Sequence, residues 1–87
     1  MNGVIYTLLE EFNTHLYPRA VELEKRLARG ELLEAGDVVH LAEVAQRMRE
    51  IRPLVEAHPE LKSLAAGVMR LYTDLARHAC RNELQST

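Results

Sequence analysis

Apolar residues recur at steps of three and four along almost the whole chain, and this spacing limits the fold more than any other feature of the sequence. Side chains so spaced share one face of an α-helix, whereas a half-buried strand needs strict alternation. No alternating run of strand length occurs, and Leu (14) and Ala (10), both good helix formers, dominate the apolar residues. The sequence therefore predicts an all-α fold. In the first third, the apolar stripe consists of Ile5, Leu9, Phe12, Leu16, Ala20, Leu23 and Leu27.

Glycine and proline residues divide this pattern into three predicted helices, at about 3–29, 38–52 and 59–82. Gly30 follows the first helix, and glycine suits the left-handed backbone that often ends a helix. Pro53 predicts that the second helix ends or bends near the preceding residue, because proline cannot donate a backbone hydrogen bond. The third helix is expected to fray after Asn82.

A short acidic connector, residues 30–37, joins the first two predicted helices. Asp37 precedes two valines and is a candidate N-cap for the second helix. Leu32 and Leu33 predict a turn of helix that packs over one end of the fold.

Pro18 lies inside the apolar stripe of the first helix and leaves two interpretations open. The helix kinks and continues, or it ends near Leu16 and a second helix starts with Pro18 in its first turn. We favour the kinked helix, because the stripe keeps its phase across the proline.

Three amphipathic helices with short connections predict one small domain, residues 1–87, folded as an antiparallel three-helix bundle. A domain of this size removes only about 60% of its unfolded-chain surface from water. The apolar arc of the third helix also covers about half the circumference and includes Met69 and Cys80. These features favour a homodimer or a constant partner, although Met69 and Cys80 could equally rim the core of a monomer.

The charge balance excludes some classes of partner. Lys plus Arg number 11 and Asp plus Glu 13, for a net charge of −2, whereas binding to nucleic acid or anionic membrane depends on clustered positive charge. Arg47 and Arg49 lie about 160° apart on a helix, so the second helix has no basic stripe. No apolar run is long enough to span a bilayer and no secretory signal is visible, so we expect a cytoplasmic protein.

No catalytic, cofactor or metal constellation stands out. The histidines (His15, His40, His58, His78) lack metal-ligand spacing and are expected on the surface beside local carboxylates. Cys80 excludes an internal disulfide and is expected to be a buried, inert thiol, with activation by Arg77 and Arg81 as the alternative. We therefore predict no cofactor, no metal and no enzymatic activity.

Candidate interface residues lie outside the main apolar stripes. Tyr6, Tyr17 and Val21 form a second face on a continuous first helix, within about 60° of one another. Val39 lies off the stripe of the second helix, and Met69 and Cys80 widen that of the third. Tyrosines at the edge of an apolar face often anchor interfaces, although coverage from within the fold or by a dimer partner remains open.

These features favour a small helical regulator or adaptor that acts by protein–protein contact, for example an inhibitor of a transcription factor or a secretion chaperone. That expectation rests on the all-helical fold class and on the small size of the chain. The first alternative is a helical-bundle enzyme or ligand-binding protein with a polar pocket built from His40, Arg49 or His78. The second is a DNA-binding regulator.

Overall fold

The computed structural model describes residues 3–86, apart from the side chain of Val4. Within that range the chain is helical with no strand, which confirms the all-α prediction. The helices are α1 (Gly3–Glu11), a π turn (Phe12–Leu16), α2 (Tyr17–Ala28), α3 (Ala35–Ala57), a 3-10 turn (Pro59–Leu61) and α4 (Lys62–Gln85).

A π turn joins α1 to α2 without a break in the helical backbone. The Tyr17 N–H bonds to the Phe12 carbonyl five residues back, and Pro18 then lies in the first turn of α2. Pro18 has no N–H and its ring crowds the preceding turn, so a wider turn just before it relieves the mismatch. The helix therefore continues through Pro18, by insertion of a π turn.

The extra residue in the π turn changes the phase of the first helix. Residues beyond it are rotated by about one residue step, roughly 100°, relative to an uninterrupted helix. Leu9, expected in the stripe, is accordingly 37% exposed. The same rotation separates Tyr6 from Tyr17 and Val21, so the single second face expected for a continuous helix does not form.

Helix α3 is longer than predicted at both ends, and Pro53 lies inside it. Ile51 and Val55, on either side of the proline, are half-buried and border the same small cavity as Leu61 of the 3-10 turn. This packing on both sides of Pro53 offsets the cost of about 3 kcal/mol that one proline imposes on a helix interior. Of the two predicted outcomes, an end or a bend of the helix just before Pro53, the end is therefore wrong.

The connector also differs from the prediction. The N-cap of α3 is Glu34, and Asp37 lies one turn into the helix, where its Oδ2 accepts a hydrogen bond of 2.8 Å from the Glu34 N–H. Residues 31–34 are not helical: Leu33 packs against the core, whereas Leu32 is 40% exposed. The predicted turn of helix is absent because these residues form the capped link between α2 and α3.

Helix α4 continues to Gln85, three residues beyond the predicted fraying point. Asn82 is buried, 6% exposed, and the contacts of its side chain keep this last turn in place.

The core lies where α2, α3 and α4 meet, and four contacts show how the helices are paired. Glu11 contacts Arg47, Arg26 contacts Asp37, Leu16 contacts Tyr72, and Leu27 contacts Asn82. The buried cluster consists of Ala20, Leu23, Leu27, Val44, Val68, Tyr72, Leu75 and Ala79.

Candidate functional site

An open groove of about 580 Å³ lies between α3 and α4. Its walls are apolar, and three of its residues are alanines whose small side chains leave the space between the two helices unfilled. A cleft of this volume lies within the range of ligand-binding clefts in proteins. Residues that line it include Leu41, Ala45 and Met48 from α3, and Ala65, Met69 and Ala76 from α4.

Met69 is the most exposed large apolar side chain of the groove wall, at 51%. Its neighbour Val68 is buried, so two consecutive side chains of α4 face the core and the groove. Methionine is flexible and polarizable, which suits a surface that adapts to an incoming side chain. The groove therefore presents an adaptable apolar wall to solvent.

Two arginines stand at the edge of the groove on the α3 side. Arg49 donates to Gln46 Oε1 through Nη2 at 2.8 Å and through Nε at 3.3 Å, and Arg52 forms an ion pair of 3.2 Å with Glu56. The Arg52 and Glu56 side chains are largely exposed, so this pair contributes little to stability. Both guanidinium groups therefore remain accessible to a partner.

A buried polar contact ties α4 to the other two helices. The Tyr72 hydroxyl lies 2.8 Å from His40 Nε2 and donates to the Leu16 carbonyl, in the π turn, at 3.3 Å. The hydroxyl has one hydrogen, so with that hydrogen given to Leu16 it accepts from a His40 that carries its proton on Nε2. His40 and Tyr72 are 7% and 8% exposed, so the prediction of surface histidines is wrong for His40.

The surroundings of this pair favour its neutral form. Burial lowers the pKa of His40 below the ordinary 6.5, and the positive charge of Arg19 lowers it further, although Glu43 and Asp37 act in the opposite direction. Burial likewise raises the pKa of Tyr72 above its ordinary 10.0. Both side chains are therefore held uncharged near neutral pH.

A second polar cluster closes the end of the fold where the connector lies. Asn82 Nδ2 donates to the carbonyls of Leu27 and Glu31, both at 2.9 Å. Gly30, at φ 85°, lets the chain turn there, and the N–H groups of Gly30 and Glu31 bond back to the last turn of α2. This end of the molecule is fixed by directional hydrogen bonds.

An ion pair supports the same end. Arg26 pairs with Asp37, and both side chains are mostly shielded from water. Asp37 also accepts from the backbone of Glu34, so one carboxylate both caps α3 and binds α2.

A polar cleft of about 440 Å³ lies between the first helix and α3. Glu11 and Arg47 form an ion pair of 3.1 Å across it, and His40 and Glu43 also line it. Of the residues named for a polar pocket, His40 lines this cleft and Arg49 lines the apolar groove, and no hydrogen bond or ion pair within residues 3–86 joins either of them to His78.

The candidate interface residues occupy separate parts of the surface. Only Met69 lines the groove, and Cys80 follows it on the same face of α4, eleven residues further along. Cys80 is exposed, so the expected buried thiol is wrong: Ala79 takes the core position and Cys80 points away from it. Tyr6, Tyr17 and Val39 are each more than half exposed, and Val21 is half-buried.

Sequence reasoning missed the groove and both polar clusters. Asn82 continues the buried series of Leu75 and Ala79 at helical spacing, and His40 lies one turn before Val44. A polar residue that lies at helical spacing from buried apolar residues is the signal that could have identified both polar clusters. The sequence contains no such signal for the groove, because the groove arises from the distance between two helices.

Residues 3–86 contain neither a metal-ligand cluster nor a membrane-spanning helix. No cluster of three or more His, Cys, Asp or Glu side chains is placed to hold a metal ion. None of the described helices combines the length and apolar character needed to cross a bilayer. Neither a family model, nor a curated protein, nor a solved structure matches the chain.

Proposed function

We propose that this chain is a small protein-binding regulator or adaptor that accepts an α-helix of another protein in the groove between α3 and α4. The open apolar groove supports the proposal, since a helix laid there would cover Met69 and the alanines beside it. Docking of an amphipathic helix into an apolar groove is a recurrent mode of recognition.

The proposed arrangement is an antiparallel three-helix bundle that the partner helix extends to four. The order of contacts supports it: the first helix pairs with α3 in reverse chain order, through Glu11–Arg47 and Arg26–Asp37. Packing a helix against two neighbours is the ordinary geometry of helix bundles. A cytoplasmic location remains part of the proposal.

A second copy of the chain is the rival partner. The exposed tyrosines Tyr6 and Tyr17 offer contacts for a homodimer outside the groove. Sedimentation at micromolar concentration separates the two ideas, because a stable monomer there would contradict the homodimer.

Small-molecule binding is the candidate from another class, favoured by the size of the groove. We rank it second because the groove is open along its length and its walls carry few polar groups to orient a ligand. A DNA-binding role is ranked third, since the walls that a duplex would meet are apolar.

The test uses two matched variants of the full chain as baits for capture from source cells. Met69→Glu puts a charge into the groove, whereas Val39→Glu puts the same charge on an equally exposed part of α3 that does not line it. We expect Met69→Glu to lose proteins that the wild type and Val39→Glu retain, with all three equally helical by circular dichroism. Retention of the same proteins by Met69→Glu would contradict a role for the groove.

A further inference from the structure

Helix α4 repeats a three-residue pattern across its surface, from core to groove wall to a basic flank. Val68 and Leu75 are buried, and Met69 and Ala76, which follow them, line the groove. The next residue is an arginine in both cases, whereas the intervening pair Tyr72-Thr73, also core and groove wall, is followed by Asp74. The pattern is Val68-Met69-Arg70 and Leu75-Ala76-Arg77, and Ala79-Cys80-Arg81 repeats the order beyond the groove lining.

The spacing places these three arginines in one row. Arg70, Arg77 and Arg81 are separated by seven and four residues, so they lie within about 40° of one another around α4. Each follows a residue of the groove side by one step, about 100° further from the core. Arg49 and Arg52 of α3 line the groove itself, whereas the α4 row lies outside its lining, one step around the helix from Met69 and Ala76.

Most of these cations have no acidic partner. Within residues 3–86, Arg70, Arg77 and Arg81 form no ion pair, and Arg49 bonds to the neutral amide of Gln46. Asp74 lies in the row itself, four residues after Arg70 and three before Arg77, so three arginines and one aspartate leave the row a net charge of +2. Neither Asp74 nor Glu83 forms an ion pair with these arginines within residues 3–86. By contrast, Arg26, Arg29 and Arg47 are all paired with carboxylates on other parts of the molecule.

An apolar groove between two basic edges fits one kind of occupant better than its rivals. A second copy docked groove to groove about a two-fold axis would bring the arginine edges together, and like charges oppose association. A DNA duplex would match the arginines but would leave the apolar walls without a partner. A helix with an apolar stripe between acidic flanks satisfies both features.

We propose that the partner of the groove is an amphipathic helix whose apolar stripe is flanked by Glu or Asp residues, which face Arg49 and Arg52 on one edge and Arg70, Arg77 and Arg81 on the other. This inference rests on the proposed function, since it names the chemistry of the helix that the groove accepts. The apolar contacts hold the helix, and the flanking charges select it and speed its association.

The experiment selects ligands from a displayed library of helical peptides. The peptides share a fixed stripe of Leu and Ile at helical spacing, and the flanking positions vary among Glu, Gln and Lys. We expect the wild-type chain to enrich Glu over Lys at the flanks, and the enriched peptides to bind about tenfold more weakly in high salt than in low salt.

Substitutions of arginine residues show which arginines cause the preference for Glu at the flanks. Replacing Arg49 and Arg77 together by Gln should remove most of the preference for Glu and weaken binding about tenfold. Arg29→Gln is the matched control, because Arg29 is an exposed arginine that pairs with Glu31 away from the groove, and it should leave the preference unchanged.

The outcomes separate the two proposals. Enrichment of neutral or basic flanks that Met69→Glu abolishes would overturn the acidic partner and leave groove docking in place. Enrichment that Met69→Glu does not change, or no enrichment at all, would overturn both. Displacement of the selected peptides by a DNA duplex at the same concentration would overturn the acidic helix in favour of nucleic acid.

Discussion

The C-terminal end of α4 and the middle of the same helix differ in how their surfaces are covered. At its C-terminal end, Asn82 forms two hydrogen bonds to the first helix and the connector, and Arg26 and Asp37 pair beside it. Along its middle, the face with Met69 and Ala76 borders a groove that no other described part of the chain fills. The chain closes one side of α4 with directional polar contacts and leaves another side apolar and open.

This difference shows where a partner can add free energy. At the polar end, the Asn82 amide nitrogen and the Asp37 carboxylate already have partners within the fold, so a partner protein would have to break contacts there. The groove still exposes apolar area, and burying such area yields about 25 cal/mol per Å². Substitutions at the polar end should therefore affect stability, and substitutions in the groove should affect binding.

The largest effect on stability is expected from Asn82→Leu. The change keeps the number and branching of the side-chain heavy atoms but removes both hydrogen bonds to the Leu27 and Glu31 carbonyls. We expect a loss of about 2–3 kcal/mol in the free energy of unfolding, measured by urea denaturation. Asn13→Leu, the same change at an exposed position, should stay within about 0.5 kcal/mol of the wild type. Equal effects of the two changes would show that Asn82 does not hold the connector end.

Tyr72→Phe should have a smaller effect. It removes the hydroxyl that joins His40 to the Leu16 carbonyl and leaves the ring in the core. We expect a loss of about 1–2 kcal/mol by chemical denaturation. Tyr6→Phe removes a hydroxyl from an exposed tyrosine and should change nothing measurable. A neutral Tyr72→Phe would mean that water replaces both contacts.

The stability should also depend on pH through His40. Because burial holds its pKa below 6.5 in the folded chain, the unfolded chain binds the proton first as the pH falls. His40 therefore costs no stability above about pH 6.5, and its protonation in the unfolded state lowers the free energy of unfolding below that pH. The slope from this one group cannot exceed about 1.4 kcal/mol per pH unit.

Comparison of the wild type with His40→Gln isolates this contribution, since the other histidines are the same in both chains. The free energy of unfolding, followed from pH 7.5 to 5.5, roughly the range where histidines titrate, should fall more steeply for the wild type. Parallel curves would show that His40 has no lowered pKa.

The smallest effect on stability is expected from Met69→Gln. The side chain is half exposed in the groove, so the free energy of unfolding should change by less than about 0.5 kcal/mol. Binding of the selected helical peptides should nevertheless weaken about tenfold. Val39→Gln is the matched control and should leave both quantities unchanged. A large loss of stability in Met69→Gln would mean that Met69 belongs to the core.

The sequence by itself determined the helical class and most of the core. Hydrophobic periodicity identified Ala20, Leu23 and Leu27, and a glycine at the end of the first helix was correctly expected at positive φ. These features depend on local spacing and on backbone sterics, which a single helix expresses without its neighbours.

Only the tertiary structure decided the rest. Pro53 stays inside α3 because residues on both sides of it are packed, and His40 is buried because Tyr72, 32 positions away, supplies its partner. The groove exists because small residues distant in sequence face each other across two helices. Contacts between distant residues depend on how helices are placed in space, which no local pattern of spacing encodes.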